Sequence, residues 1–324
     1  MYRPISYILC CIKLQQLRYL VEVERCGLNV SEAAAALYTS QPGISKQVRL
    51  LEAELGITVF ERSGKRLTGI TAAGRVVLDM ARKILTDTAN LARVGADFAA
   101  ESKGQLTLAT THTQARYTLP PVIRRFVDRY PGVRLHVQQG SPVQVAEWLL
   151  DGTAELGIAT EALDRHPQLV TLPCYQWSHK VVVPRGHALL ELEPLTLAAL
   201  AQYPLVTYDV SFTGRSHVDR AFERQGLIAN VVLTAIDSDV IKTYVELGLG
   251  VGIIAEMAFD PLRDSGLAAL AANHLFATNT TRLAFRRDLW LRGYDFDFIE
   301  LLAPQLTRRV IEATVAGNSS DPGL

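Results

Sequence analysis

The chain has 324 residues, 48% hydrophobic and 20% charged, the balance of a soluble globular protein and more length than one ordinary core supports, so two or three compact units are expected. No apolar run reaches the ~20 residues that a membrane-spanning helix needs, which sets aside an integral helical membrane protein. Charge cancels overall but not locally: residues 1–103 hold 14 Lys and Arg against 10 Asp and Glu, and the rest hold 19 against 23. A basic front and an acidic back suit a nucleic-acid module joined to something else.

Residues 1–12 include the apolar run Ile5–Ile12 with only Arg3 ahead of it and no small-x-small site before Lys13. That pattern does not suit a signal peptide, and the segment is expected to be a disordered extension of a cytoplasmic protein. Cys10, Cys11, Cys26 and Cys174 form no C-x-x-C pair and no Cys/His spacing that suits zinc, so reduced thiols are expected, with no metal and no cofactor.

From Leu14 the apolar residues Leu14, Leu17, Leu20 and Val21 repeat at helical spacing until Gly27. A second helix, Ser31–Leu37, is rich in alanine, the best helix former, and its small side chains let another helix approach closely. After the break Tyr38-Thr39-Ser40, Ser40 is an N-cap and Pro42 is tolerated in the first turn of a third helix. That helix sets Ile44, Val48, Leu51 and Leu55 on one side and Gln41, Ser45, Lys46 and Arg49 on the other. Two short helices around a tight turn form a helix-turn-helix, and one polar, basic helix fits the DNA major groove. A plain helical bundle with a solvated face stays open on this segment alone.

Arg62–Thr68, with Gly64 in its middle and Lys65 and Arg66 beside it, predicts a two-stranded basic wing able to lie on phosphates. Thr71 then caps a helix that runs to about Phe98 without proline. Its seam of Val77, Ala81, Ile84, Thr88, Leu91, Gly95 and Phe98 alternates four and three apart, as a close helix–helix dimer contact requires.

The run Leu37–Glu52, then Leu55-Gly56, Phe60, Arg62, Leu67-Thr68 and Thr71-Ala72-Ala73-Gly74, resembles the LysR-type transcriptional regulators over the whole winged helix. The resemblance implies that Thr39, Ser40, Gln41, Pro42, Ser45, Lys46 and Arg49 face the groove of promoter DNA and that Arg62 and Lys65 lie on the wing.

Beyond Gly104 short strands alternate with helices. Strands are predicted at 106–110, 133–137, 156–159, 180–183, 205–208 and 231–235, with a late one at 282–285, and helices at 119–129, 143–150, 215–225 and 238–247. Such alternation argues for parallel α/β sheets in two lobes, with a ligand in the cleft at the carboxyl ends of the strands. Gly248–Gly252 is glycine-rich but follows a helix, and reads as a helix end and a tight turn. Three polar groups fall at the expected cleft: Thr110–Gln114, Thr160, and Ser211–Gly214. Hydroxyls, an amide and backbone N–H groups at helix starts make an uncharged anion site, although each threonine alone is equally an ordinary strand residue or cap.

The segments Thr110–Tyr117, Gln139–Pro142, Ile158–Leu163, Leu172–Trp177, Phe212–Ser216, and Asp239–Val245 with Gly248–Gly252, are similar to the LysR-type regulators that activate sulfur assimilation and cysteine synthesis. A near relative serving sulfur starvation, and responding to adenosine phosphosulfate, shares much of the pattern. The likeness runs from Lys13 to about Ile311. It implies an acetylserine inducer (N-acetylserine or O-acetylserine) and sulfur oxyanions such as sulfate and thiosulfate, held by Thr111, Thr113, Gln114, Thr160 and Thr213 with Trp177 near the pocket. It also implies a homotetramer built as a dimer of dimers, and contact with RNA polymerase.

The expected architecture is therefore α+β overall. It comprises an extension (1–12), a winged helix-turn-helix (13–71), a dimerising linker helix (72–103), a two-lobed α/β, periplasmic-binding-protein-like effector domain (104–303), and a C-terminal helix with a disordered tail (304–324). An enzyme would need more than His112, His179, Asp237, Asp239, Ser211 and Ser216 scattered along the chain, and no G-x-S-x-G elbow, P-loop or dinucleotide turn is present. A LysR-type regulator with another small anionic effector, or a free-standing solute-binding protein, are the remaining alternatives.

Overall fold

The computed structural model describes residues 12–64, 66–98, 103–212 and 214–317. The expected extension up to residue 11, the site residues Lys65 and Thr213, and the tail from residue 318 lie outside the described residues. The chain divides into two compact units, Met1–Ala96 and Asp97–Leu324.

The first unit holds α1 (Leu14–Arg25), α2 (Val30–Ala36), α3 (Gln41–Leu55), the antiparallel pair β1 (Phe60–Ser63) and β2 (Arg66–Ile70), and α4 (Ala72–Phe98), whose last residues pass into the second unit. Each helix start has a local cause. Asn29 accepts the N–H groups of Ser31 and Glu32, and the Ser40 hydroxyl accepts that of Gly43 at 3.2 Å with Pro42 beside it. Gly56, at φ +67°, takes the left-handed turn that stops α3. Leu20, Val23, Ile44, Val48, Leu51, Val59, Phe60, Leu78 and Ala81 close one core, in which a fully buried Leu or Phe contributes roughly 2–3 kcal/mol. Gly74 is required where α4 crosses that core, because a Cβ there would stand 2.1 Å from the Val59 carbonyl oxygen.

The second unit has two lobes. Lobe I contains β3 (Lys103–Thr110), a π-helical turn (Gln114–Thr118), α5 (Leu119–Arg129), β4 (Gly132–Gln139), α6 (Pro142–Leu150), β5 (Leu156–Ala159) and β6 (Leu169–Trp177). Lobe II contains β7 (His179–Pro184), α7 (Leu197–Leu200), β8 (Leu205–Tyr208), α8 (Arg215–Arg224), β9 (Val231–Ala235), α9 (Ser238–Glu246), β10 (Val251–Ala255) and β11 (Leu267–Ala271). The chain then returns to lobe I as β12 (Asn279–Arg286), α10 (Gly293–Leu302) and α11 (Arg308–Val315). The sheet orders are β4-β3-β5-β12-β6 and β11-β7-β10-β8-β9.

The chain is thus α+β, a winged helix-turn-helix followed by a two-lobed α/β unit. The sheets themselves differ from the parallel expectation. In each, three strands run parallel (β4, β3, β5 and β9, β8, β10) and two more join antiparallel (β12, β6 and β7, β11). Parallel neighbours need a crossover helix between them. The strands that pass between lobes have none: β6 continues into β7 through Ser178 alone, and β12 comes back extended. Sequence patterning missed β6, β10 and β11. After α9 the chain does turn, with Gly248 at φ +79°, but Val251–Ala255 continue as a fully buried central strand.

Each lobe encloses its own core, around Leu106, Leu108, Phe126, Ile158, Phe285 and Phe298 in lobe I, and Val181, Val183, Leu205, Phe222, Val251 and Ile253 in lobe II. Among the described residues no helix is long and apolar enough to cross a membrane.

Candidate functional site

Two surfaces carry the sequence-predicted residues. On the first unit, α3 buries Ile44, Val48 and Leu51 and leaves Gln41, Pro42, Lys46 and Arg49 exposed, with Ser40 exposed at its start and Thr39 and Ser45 half-buried. Gln41 donates to the Ser45 hydroxyl at 3.0 Å. Pro42, Ser45, Lys46, Arg49 and Leu50 line one open depression on the solvent side of the helix, so four of the predicted groove residues share one face. Arg62 has a further task. Its guanidinium pairs with Glu52 at 2.7 Å, while the same carboxylate accepts the backbone N–H groups of Val59 at 2.9 Å and Phe60 at 3.2 Å. Glu52 ties the start of the wing to α3, and Arg62 neutralises that buried carboxylate. On α4 the expected seam leaves Ile84 and Leu91 exposed and Val77 half-buried, with Val76 and Met80 exposed beside them, whereas Ala81 is buried in the core of the unit.

The second surface is the cleft between the lobes. Beyond β3 the chain delivers Thr111, Thr113 and Gln114 into buried positions, and because β3 and β5 run parallel with Thr110 opposite Ile158, Thr160 emerges at the same end of the sheet. Gln114 is held at both ends. Its amide nitrogen donates to the Thr281 hydroxyl at 3.2 Å, and its carbonyl accepts the Tyr175 hydroxyl, whose oxygen lies 3.1 Å from the Thr118 hydroxyl and can accept from it. Trp177 is buried beside this network and donates its indole N–H to Thr281 at 3.1 Å. Thr281 and Tyr175 were not singled out in the sequence, and no local signal marks them. They reach Gln114 only because β12 pairs with β6.

Lobe II closes over the same strand ends. The Gly214 N–H donates to Glu161 Oε1 at 2.5 Å, across the lobes. A Cβ on Gly214 would stand 2.2 Å from Asn279 Oδ1, and its φ of +68° is itself a glycine conformation. Three buried oxygens here have no hydrogen-bond partner within bonding geometry: Thr113 Oγ1, Glu161 Oε2 and Asn279 Oδ1. Burial pushes the Glu161 carboxyl above the ordinary carboxylate range, against the pull of the Gly214 N–H, its own backbone N–H and Arg165. Glu161 and Asn279 were missed as site residues. Glu161 follows Thr160 directly, so its place at a strand end was the available signal.

A second cross-lobe contact lies beside the π-helical turn. Tyr117 donates to Asp239 Oδ1 at 2.7 Å, Arg116 pairs with Asp239 Oδ2 at 3.1 Å, and Lys242 reaches Asp239 at 3.1 Å. Lys242 is buried, holds Asp264 at 2.9 Å and the Ala258 carbonyl at 2.9 Å, and stacks over the Tyr117 ring at 5.5 Å. Burial alone would raise the Asp239 carboxyl, but the Tyr117 hydroxyl, Lys242 and Arg116 together hold it below its ordinary value. The groups that an enzyme would have used are otherwise engaged. Asp237 caps α9, Ser211 bonds Asp209, the Ser216 hydroxyl accepts from Arg220, and the His179 ring is buried edge-on between Trp177 and Phe276. Among the described residues no three His, Cys, Asp or Glu side chains gather as metal ligands.

Residues 14–75 match the family described as bacterial regulatory helix-turn-helix protein, lysR family, and residues 99–307 match the LysR substrate binding domain. The chain is 54% identical over 306 residues to the HTH-type transcriptional regulator SsuR of Burkholderia cenocepacia, covering 94% of this chain and 98% of that one. It is 51% identical over 308 residues to the HTH-type transcriptional regulator CysB of the same organism, covering 95% and 98%. Among solved structures, the cofactor-binding domain of the Cbl transcriptional regulator aligns with a TM-score of 0.64 at 46% identity, covering 66% of this chain and 94% of that domain.

Proposed function

This chain belongs to the LysR family of bacterial transcriptional regulators, not to an enzyme family, and from that premise we propose that it switches genes of sulfur assimilation and cysteine synthesis in answer to a small anionic effector. Residues 13–71 read promoter DNA. Thr39, Ser40, Gln41, Pro42, Ser45, Lys46 and Arg49 meet the major groove, and the wing with Arg62 and Lys65 adds salt-sensitive phosphate contacts. The linker helix (72–103) pairs two copies along its seam, since Ile84 and Leu91 are apolar and exposed, and pairs of dimers assemble into a tetramer that meets RNA polymerase in the cytoplasm. The effector domain (104–303) takes the anion between its lobes.

One observation carries the ligand reading. Thr111, Thr113 and Gln114 are buried at the end of β3, at the interlobe surface, and the Thr113 hydroxyl has only the Tyr208 hydroxyl beside it, outside good hydrogen-bond geometry. Buried polar atoms without partners are rare in folded proteins and expensive, at roughly 1–3 kcal/mol each, unless something fills the space. An acetylserine-type inducer or a sulfur oxyanion fits an uncharged hydroxyl-and-amide set of this kind, with Thr160 and Thr213 completing it and Trp177 bracing it. Binding favours one arrangement of the lobes and thereby shifts the spacing of the DNA-reading heads, a coupling typically worth ~1–3 kcal/mol. The likeness to the Cbl domain supports a second reading, a sulfur-starvation regulator that answers adenosine phosphosulfate.

Gel-shift and footprint titrations on DNA upstream of sulfate-assimilation and cysteine-synthesis genes separate these readings. A footprint that changes with N-acetylserine is the expected result. A response to adenosine phosphosulfate alone moves the protein to the starvation branch, and specific binding without response to either removes the sulfur effector. Arg49→Ala is expected to weaken DNA binding and, if the contact is to phosphate, to lower the salt slope by about one.

A further inference from the structure

We infer that Glu161 is the residue by which the cleft chooses between two classes of anion: bare oxyanions, which only accept hydrogen bonds, and anions that carry an N–H or O–H donor beside the charge. The inference rests on the effector-cleft reading above and concerns a residue to which that reading gives no role.

The geometry behind it is a carboxylate seated where an anion is wanted. Glu161 follows Thr160 at the end of β5, the strand paired with β3, so it shares one sheet end with Thr111, Thr113 and Gln114. Its Oε1 takes the N–H of Gly214, the N-cap of the ten-residue helix α8. A backbone N–H at the head of a helix is the donor that a bound anion would use, and here the protein's own carboxylate already occupies it. An entering oxyanion meets that negative charge at close range and has no proton to offer.

The surroundings point the same way. Glu161 Oε2 and Asn279 Oδ1 are buried without partners, and Asn279 stands directly against Gly214. A carboxylate and an amide oxygen are acceptors, so a ligand that donates satisfies this corner where a bare oxyanion does not. Thr113 Oγ1, which has only the Tyr208 hydroxyl beside it, can serve either way. The cleft therefore has a donor side of hydroxyls, an amide and backbone N–H groups, and an acceptor corner set by Glu161 and Asn279. The turn carrying Glu161 is also held in a costly shape: Ala162, the next residue, is buried at φ +72°, a left-handed conformation that a residue with a Cβ resists. Sulfate and thiosulfate belong to the first class. N-acetylserine, with an amide N–H and a hydroxyl beside its carboxylate, belongs to the second.

The test compares sulfate and N-acetylserine as probes by calorimetric titration of the full-length protein, wild type against Glu161→Gln. The amide keeps the size of the side chain, removes the charge and adds a donor. Sulfate is expected to bind at least tenfold tighter to E161Q while N-acetylserine binds equally or more weakly, so that the ratio of the two dissociation constants moves by tenfold or more. Glu161→Asp, which keeps the charge, is expected to retain the wild-type order of preference. A ratio within about threefold of wild type in E161Q, measured on protein whose circular dichroism and melting temperature are unchanged, overturns the inference. Thr111→Val separates this from failure of the cleft reading. If that variant loses both probes while the E161Q ratio stays fixed, the cleft stands and Glu161 has no selective role. If T111V binds both probes as wild type does, or if wild type binds neither, the cleft reading falls and the role of Glu161 with it.

Discussion

Lobe I and lobe II are one sheet plan built twice, and they differ in where each spends its buried charge. Both place three parallel strands beside two antiparallel ones, and both enclose a buried ion cluster. In lobe I, Arg292 holds Asp295 at 3.3 Å and Glu155 at 3.4 Å and donates to the Gln105 carbonyl at 2.9 Å, all within the lobe. In lobe II, Lys242 holds Asp264 and Asp239, and Asp239 reaches across to Arg116 and Tyr117 of lobe I. The strand ends diverge in the same sense. β3 runs into threonines and a glutamine, whereas β8 runs into a turn in which Asp209 accepts from Ser211. A shared frame therefore leaves chemistry free to differ at its edges. Lobe I's cluster braces the lobe, while lobe II's cluster also couples it to its neighbour.

The largest expected effects test whether the frames are separate. Phe126→Ala in lobe I and Phe222→Ala in lobe II each empty a fully packed site and should cost about 3–5 kcal/mol. Hydrogen exchange should show protection lost mainly in the lobe that carries the substitution, and loss spread evenly over both would break the picture of two cores.

Next come the clusters. Arg292→Met and Lys242→Met each strand a buried carboxylate and should cost about 3 kcal/mol in urea unfolding. The comparison predicts a further difference: only Lys242→Met should also weaken effector binding, because only that cluster touches the other lobe. Equal effects of the two variants on binding would erase the distinction.

The smallest effect is the sharpest. Asp239→Asn removes a partly exposed pair and should cost roughly 0.5–1 kcal/mol. In the wild type the carboxyl is held below its ordinary value of 3.8, so its contribution is present above that pH and fades as pH falls through the lower folded value. The melting-temperature gap between wild type and Asp239→Asn should be constant from about pH 7 to about pH 5 and shrink below pH 4. A gap that widens toward acid would contradict the sign.

How much was legible in the sequence varies by element. Ser40, Pro42 and Gly56 mark α3 because caps and stops act within a few residues. Strands β5, β8 and β9 carry short apolar runs between turn signals, and their bounds agree with the expected ones. The glycine-rich stretch 248–252 concealed β10, because turn residues and a buried strand overlap there. β11, with its run of leucine and alanine, has little that separates a strand from a helix. Arg62 is legible as part of a basic wing, but its pairing with Glu52, ten residues away, is not.

By itself the sequence determined the helices of the first unit, the strands β3, β4, β5, β8 and β9 with the helices between them, the polar and basic face of α3, and the threonine-rich loop at the end of β3. These follow from periodicity and capping, which are settled within a turn or two of the chain. Only the tertiary structure decided that the sheets are mixed, that Thr281 braces Gln114 from 167 residues away, that Asp239 ties Tyr117 to Lys242, and that Glu161 sits on the Gly214 N–H. Those contacts depend on which strands share a sheet, and that choice is made by burying apolar faces over the whole domain, a cooperative outcome that no short window of residues encodes.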